Sequence, residues 1–129
     1  MSVKPTDISH IEDVLRSYQY HRRADSETTK WAAVAVILRV RSSTESDVLL
    51  IKRSEHPNDP WSGDMAMPGG RKEDTDETLQ RAAERETYEE VGLDLKTYGT
   101  LLGRLDDVSA VARGRRLGLT IAPFVYALY

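Results

Sequence analysis

The stretch GGRKEDTDETLQRAAERETYEEVGL, from Gly69 to Leu93, decides the fold. After a glycine pair and a polar segment it switches to good helix formers, and the spacing of its apolar residues predicts a helix over residues 77–91. Thr75 and Thr78 are alternative N-caps, and Gly92 is a natural C-terminal stop. The stretch therefore predicts a loop that leads into one well-bounded helix.

Acidic residues share one face of this helix. Glu86, Glu89 and Glu90 stand three and four residues apart, so their repulsion destabilises an isolated helix unless a cation binds between them. Oxygen ligands at this spacing suit Mg²⁺ or Mn²⁺ shared with substrate phosphates. Arg85 is placed to orient a carboxylate, and the glycine at Gly69 lets a backbone carbonyl approach the metal. The alternative is an acidic face that only contacts solvent.

The flanking sequence predicts strands on both sides of the helix. The buried-strand pattern of residues 31–40 forms a hairpin with residues 47–52, and the loop 54–70 is too rich in proline and glycine for a helix. The remaining predictions are a helix over residues 8–20, a polar linker over 22–30, and strands over 98–108 and 117–129 joined by a basic turn at 112–116.

Composition limits the class of protein. The chain has 129 residues, no cysteine, and 18 Lys+Arg against 21 Asp+Glu, which predicts one domain over residues 1–129 without disulfides or thiolate metal sites. A net charge of −3 gives no electrostatic reason to bind nucleic acid or a membrane surface. The longest apolar run, residues 31–38, is too short to span a bilayer, and the N-terminus lacks a secretory apolar region. We expect a cytoplasmic protein.

The stretch resembles the Nudix box of the Nudix hydrolases, here residues 70–93. That pattern runs Gly, five residues, Glu, seven residues, Arg-Glu, two residues, Glu-Glu, one residue and Gly. Glu77 precedes Arg85 by the usual interval, but its interval from Gly70 is one residue longer, as in the branch similar to coenzyme A diphosphatases. The resemblance implies an α+β fold, an α/β/α sandwich with a mixed β-sheet, and a supporting role for Glu77 at the helix start.

The resemblance also implies the chemistry. Divalent Mg²⁺ or Mn²⁺ would neutralise a diphosphate and activate a water for in-line attack on phosphorus. The implied metal ligands are Glu86, Glu89, Glu90 and the Gly69 carbonyl, with Arg85 orienting the glutamates and either Glu89 or Glu90 as the general base. The expected function is hydrolysis of a nucleoside diphosphate derivative, coenzyme A among them. A non-catalytic, nucleotide-binding regulatory module is the alternative, and a homodimer is left open.

Upstream residues resemble the motif that precedes the box in that branch. Lys52 and Arg53 are candidates to bind phosphate, with the alternative that both are solvated, and Trp61 either stacks on the substrate or anchors the loop to the core. The sequence departs from the motif by a residue added between Arg53 and Gly63, and by three substitutions: Ile51 for threonine, Asn58 for arginine and Met67 for phenylalanine.

Three further segments carry open alternatives. Family domains continue past the strand that ends near Tyr129, so the last helix is missing, lies in a longer protein, comes from a partner, or is replaced by the N-terminal helix. Arg113–Arg116 is a solvated hairpin tip or a polyphosphate contact. Asp106 and Asp107 either support the metal site or end a strand.

Overall fold

A computed structural model of the protein describes residues 8–23, 30–112 and 114–129. Most of the predicted linker and Arg113 of the basic turn lie outside these residues. The elements are α1 (Ile8–Ser17), β1 (Lys30–Val40), β2 (Ser46–Val48), β3 (Ile51–Lys52), β4 (Met65–Ala66), β5 (Gly69–Arg71), α2 (Leu79–Val91), α3 (Leu95–Tyr98), β6 (Thr100–Arg104), β7 (Val108–Ala112) and β8 (Arg115–Leu128).

Two long parallel strands form the centre of a mixed sheet. β1 pairs with β8 from Lys30 opposite Leu119 to Arg39 opposite Leu128. The other edge of β1 is shared by β2 and β5, and the other edge of β8 by β6 and β7, all antiparallel to their neighbours. β3 and β4 form a separate antiparallel pair. The predicted mixed sheet and the predicted hairpin of the first two strands are confirmed.

One helix packs on each face of the sheet, so the predicted α/β/α sandwich is confirmed. α2 covers the face that carries Ile37, Phe124 and Tyr126, and α1 covers the face that carries Val125 and Ala127. The two sets alternate along β8, as the side chains of a strand must. The N-terminal helix therefore forms the second layer.

Some predicted boundaries are wrong. Residues 98–108 are not one strand, because α3 ends at Tyr98, with Asp94 as its N-cap, and residues 105–107 separate β6 from β7. Likewise, residues 47–52 divide between β2 and β3, which belong to different sheets. The first helix ends at Ser17 instead of Tyr20.

The segment between β6 and β7 explains the early end of α1. Asp106 accepts hydrogen bonds from the Tyr18 hydroxyl at 2.6 Å and the His21 amide at 2.8 Å, and these bonds lower its pKa. Asp107 accepts from Arg104 at 2.6 Å and from the Arg23 amide at 3.1 Å. Both carboxylates hydrogen-bond the chain that follows α1, and within the described residues no hydrogen bond joins either of them to the acidic face of α2.

The helices of the described ranges are all too short, or too polar, to cross a membrane. The hairpin between β7 and β8 turns at Gly114, whose φ of 74° is the left-handed value that glycine adopts freely. Arg115 and Arg116, which follow it, are exposed.

A buried hydrogen bond fixes α2 to the centre of the sheet. The Tyr126 hydroxyl donates to Glu84 Oε2 at 2.7 Å, and Glu84 also pairs with Arg81 at 2.7 Å. Burial and the neighbouring carboxylate raise the pKa of Tyr126, so the phenol stays protonated. The bond ties a residue of the helix to a strand 42 positions away, and it fixes the rotation of α2 on the sheet.

Substituting Tyr126→Phe should lower the free energy of unfolding by about 2 kcal/mol, because a buried hydrogen bond to a charged acceptor is lost. Urea unfolding measures the change. Tyr129→Phe is the matched control, since the exposed Tyr129 hydroxyl bonds Glu12 at 3.2 Å and should contribute less than about 0.5 kcal/mol. Equal effects would contradict the role of the Tyr126–Glu84 bond.

Candidate active site

Defined caps set the length and position of α2. The Thr78 side chain accepts from the Arg81 amide, and Gly92 ends the helix with φ 73° while its amide donates to the Tyr88 carbonyl. Of the two predicted N-caps, Thr78 is the correct one. The helix therefore begins at Leu79 and holds its acidic residues beside β5.

Arg85 is the centre of an ion-pair network. Its Nε donates to Asp76 Oδ1 at 2.9 Å and its Nη2 to Asp76 Oδ2 at 3.0 Å, which is the bidentate geometry of a strong pair. Nη2 also donates to the Arg71 carbonyl at 3.1 Å. Nη1 donates to Glu86 at 2.9 Å and to Glu89 at 3.1 Å. One guanidinium thus joins the loop, strand β5 and two of the three glutamates.

Asp76, which the sequence did not single out, is the carboxylate that fixes Arg85. Its side chain is 5 % exposed, and the Arg85 guanidinium holds its pKa below the usual range. Glu77, to which the resemblance gave a supporting role at the helix start, is exposed and precedes the helix. Asp76 follows Gly70 after five residues, the usual interval of the box, so that interval was the signal that identifies it.

Two glycines make room for the glutamates of α2. A Cβ on Gly70 would lie 2.6 Å from the Glu86 Cδ, and a Cβ on Gly69 would lie 2.4 Å from the Ala33 carbonyl oxygen. The Gly69 amide donates to Glu90 at 3.3 Å. Loss of hydration at Glu90 raises its pKa, and the negative charge of Glu86 acts in the same direction. Glu86 and Glu90 are therefore neighbouring carboxylates beside a bare backbone.

The backbone of β5 presents oxygen atoms at its outer edge. Bonds from Ala35 to the Pro68 carbonyl and from Lys72 to the Trp31 carbonyl, each 2.8 Å, define the ladder with β1. Gly69, opposite Val34, lies between them at a non-hydrogen-bonded position, so its amide and carbonyl point away from β1. The carbonyl of Arg71 lies on the same edge and accepts from Arg85.

The oxygen atoms at this edge could hold a divalent cation. Across the described ranges, no three histidine, aspartate or glutamate side chains form a metal-binding cluster. Glu86 and Glu89 are both paired with Arg85. Mg²⁺ is typically held by one or two carboxylates with water and phosphate oxygens. Glu86, Glu90 and the carbonyl of Gly69 supply such a set at one edge of β5.

The upstream loop brings one of the predicted substrate residues to this edge. Arg53 follows β3, whose partner β4 leads through Pro68 into β5, and its positive charge opposes the rise of the Glu90 pKa. Lys52 is exposed on β3 and, as the neighbouring residue of an extended segment, points to the opposite side. Trp61 packs against Ala32 and its neighbours in the core, and its Nε1 donates to the Val111 carbonyl at 3.4 Å. These contacts are those of the predicted anchor.

Comparison with known proteins defines the class. The NUDIX domain model matches residues 29–121, so the chain belongs to the Nudix family. It is 43% identical over 83 residues to an uncharacterized protein of Schizosaccharomyces pombe, which covers 63% of this chain and 25% of the relative. It is 35% identical over 88 residues to peroxisomal coenzyme A diphosphatase 1 of Saccharomyces cerevisiae (64% and 25%).

A third relative is the uncharacterized Nudix hydrolase NudL of Escherichia coli, 31% identical over 116 residues that cover 89% of this chain and 57% of NudL. The chain thus spans about a quarter to just over half the length of these relatives. Among solved structures, the fold is similar to Caenorhabditis elegans Ap4A hydrolase (TM-score 0.59, 23% identity, 77% of this chain and 67% of that one). It is also similar to the NUDIX domain of Shewanella oneidensis NrtR complexed with ADP ribose (0.52, 24%, 89% and 67%).

Substituting Asp76→Asn should destabilise the fold by about 3 kcal/mol at neutral pH, because Arg85 loses a buried charged partner. Asp76 has a lowered pKa in the folded state, so its contribution is complete above the ordinary aspartate pKa and is lost as the pH falls through the folded value. The two proteins should therefore converge in stability from pH ~4 downward. Unfolding measured across roughly pH 3–7 tests this.

Glu77→Gln is the matched control for Asp76→Asn, because the two acids are adjacent and Glu77 is exposed. Its stability should stay within about 0.5 kcal/mol of the parent at every pH. A larger loss from Glu77→Gln than from Asp76→Asn would show that the wrong carboxylate has been assigned to Arg85.

Adding a methyl group at each of the two glycines should have different effects, on Mn²⁺ binding at Gly70 and on stability at Gly69. Gly70→Ala displaces the flexible end of Glu86 and should weaken Mn²⁺ binding about tenfold or more with little change in stability. Gly69→Ala meets the backbone of β1 and should cost about 1–3 kcal/mol of stability. Titration with Mn²⁺ and thermal unfolding of both variants provide the measurements. Unchanged Mn²⁺ affinity in Gly70→Ala would contradict the metal assignment.

Proposed function

We propose that this protein hydrolyses the diphosphate linkage of a nucleoside diphosphate derivative with the help of Mg²⁺ or Mn²⁺. The observation that carries the proposal is the pair of carboxylates Glu86 and Glu90 beside the bare backbone of Gly69 and Gly70, at the edge where β5 presents its free carbonyl. Membership of the Nudix family supports this chemistry. A site of this kind needs oxygen ligands for the cation and an anionic substrate.

Glu86, Glu90 and the Gly69 carbonyl would hold the cation. When bound, the cation neutralises charge on the diphosphate and lowers the pKa of a water. Glu89 is 56 % exposed at its side chain and is held by Arg85 at 3.1 Å. It would serve as a further ligand or take the proton of the attacking water, and Glu90 is the alternative base.

Arg85 acts by orientation in this proposal. Its bond to Asp76 fixes the guanidinium, and the guanidinium in turn holds Glu86 and Glu89 in chosen rotamers before substrate arrives. Because these carboxylates need little rearrangement, less of the binding energy is lost to ordering them. Arg53 would contact the diphosphate from the loop side.

One relative and the chemistry of the site together support a substrate class. The yeast relative named as a coenzyme A diphosphatase makes coenzyme A the first candidate. The similar structures are named for Ap4A hydrolysis and for an ADP ribose complex, which adds diadenosine tetraphosphate and ADP-ribose. All three present a charged phosphate chain joined to adenosine, the feature that Arg53 and a cation at Glu90 would bind.

Replacing Glu86 or Glu90 by glutamine should reduce kcat by about 10²-fold or more, since each change removes an anionic ligand or base without changing side-chain volume. The measurement is product release from coenzyme A, ADP-ribose and diadenosine tetraphosphate in Mg²⁺ and in Mn²⁺, with Glu89→Gln assayed in parallel. Glu45→Gln, on the turn between β1 and β2, is the control and should keep full activity.

Two results would overturn the proposal. Metal-dependent turnover that survives all three glutamine substitutions would place the reaction elsewhere. Tight nucleotide binding in Mn²⁺ with no hydrolysis of any of the three substrates would show the regulatory binding module instead.

A further inference from the structure

The loop from Arg53 to Asp64 is closed on itself. The Arg53 amide donates to the Asp64 carbonyl at 2.8 Å and so joins the two ends of the loop. Inside it, the His56 amide donates to Ser62 Oγ at 2.8 Å, and the Ser62 amide donates to the Asp59 carbonyl at 3.1 Å. A compact loop whose ends meet and whose interior is hydrogen-bonded is an Ω-loop. These hydrogen bonds give the loop a defined backbone conformation.

Asp59 holds the guanidinium of Arg53 within this loop. Arg53 Nε and Nη2 donate to Asp59 Oδ2 at 3.0 and 2.7 Å. The other oxygen, Oδ1, accepts from the Trp61 amide at 3.0 Å. The Asp59 side chain is 16 % exposed, and that of Arg53 is 36 % exposed. The carboxylate therefore links the Arg53 side chain to the backbone of Trp61.

Trp61 extends this link to the core. Its ring packs with Ala32 and Leu119 beneath the sheet, and the Arg53 guanidinium lies 5.9 Å from the ring centroid. Arg53 is thus held on one side by Asp59 and bounded on another by an anchored ring. Rotation of its side chain away from this position would break both contacts.

The Nη1 group of Arg53 remains for binding a ligand. Within the described part of the chain, Nη1 takes no hydrogen-bond partner, and Arg53 follows β3, whose partner β4 leads into β5. A guanidinium offers its donors in a fixed fork, so fixing the Nε–Nη2 edge also fixes the direction of Nη1. That donor is available for an anion.

We propose that Asp59 is a positioning residue that aims the free edge of Arg53 at a diphosphate bound beside Glu90, so that this loop contributes to substrate affinity. The inference rests on the proposed function for the nature of the ligand. Asp59 lies in the interval between Arg53 and Gly63 that is one residue longer than in the motif the sequence resembles.

A double-mutant cycle tests this inference through binding alone. ADP in the presence of Mn²⁺ is titrated calorimetrically into the parent, Asp59→Asn, Arg53→Ala and the double variant. Asparagine keeps an oxygen for the Trp61 amide but loses the charge that holds Arg53. We expect Asp59→Asn to weaken ADP binding about tenfold, Arg53→Ala to weaken it at least as much, and the double variant to match Arg53→Ala.

Glu55→Gln is the matched control, since Glu55 is an exposed acid of the same loop, and it should leave ADP affinity unchanged. If Asp59→Asn weakens binding by the same factor in the Arg53→Ala background, Asp59 acts independently of Arg53 and the inference is wrong. ADP affinity that neither substitution changes also overturns it.

Hydrolysis separates this inference from the proposed function. If the parent turns over a diphosphate substrate, Asp59→Asn should raise KM about tenfold with kcat nearly unchanged, because the loop contacts ground state and transition state alike. If the parent binds ADP but hydrolyses nothing, the proposed function fails while the calorimetric cycle still decides the role of Asp59.

Discussion

The structure depends on the placement of one guanidinium between a backbone carbonyl of β5 and the carboxylates of the preceding loop and of α2. Arg85 leaves α2 and meets Asp76 in the preceding loop and the carbonyl of Arg71 on β5. Without the Arg85 guanidinium, Glu86 and Glu89 would repel one another along the helix, and the helix would lose its bond to the Arg71 carbonyl of β5. The same group that holds the loop and the strand together thus also orders the acids of the candidate site.

The stability of the fold and the orientation of the glutamates depend on the same pair of side chains, Asp76 and Arg85. Removing Asp76 would leave Arg85 partly buried without its main partner, so Glu86 would lose its fixed orientation in the same event. Tyr126 and Glu84 act from the other side of α2, where a buried hydrogen bond fixes how the helix is turned on the sheet. The direction of the glutamates is therefore set by two contacts, one on each side of the helix.

Local signals made much of the fold predictable. The caps of α2 and the apolar pattern of β1 each depend on residues that are close together in the sequence. The helix, the central strand and the first hairpin could therefore be predicted. The break at 105–107 could not, because Asp106 and Asp107 bind amides about 85 positions earlier. For the same reason the burial of Glu84 escaped prediction, since it needs Tyr126. In the candidate site, the choice between two adjacent acids for Arg85 depended on how the loop turns into the helix.

The central parallel pair has a consequence for how this chain reaches its native state. β8 comes after every other described element, yet it lies in the middle of the sheet and pairs with β1, which is the first strand. Closing so long a loop costs entropy before any strand contact offsets it, and folds dominated by such distant contacts form slowly. During synthesis, one edge of β1 stays unpaired until β8 has emerged from the ribosome. Until that moment the apolar residues along this edge are exposed to association with other chains, which makes the interval a natural point for chaperone assistance.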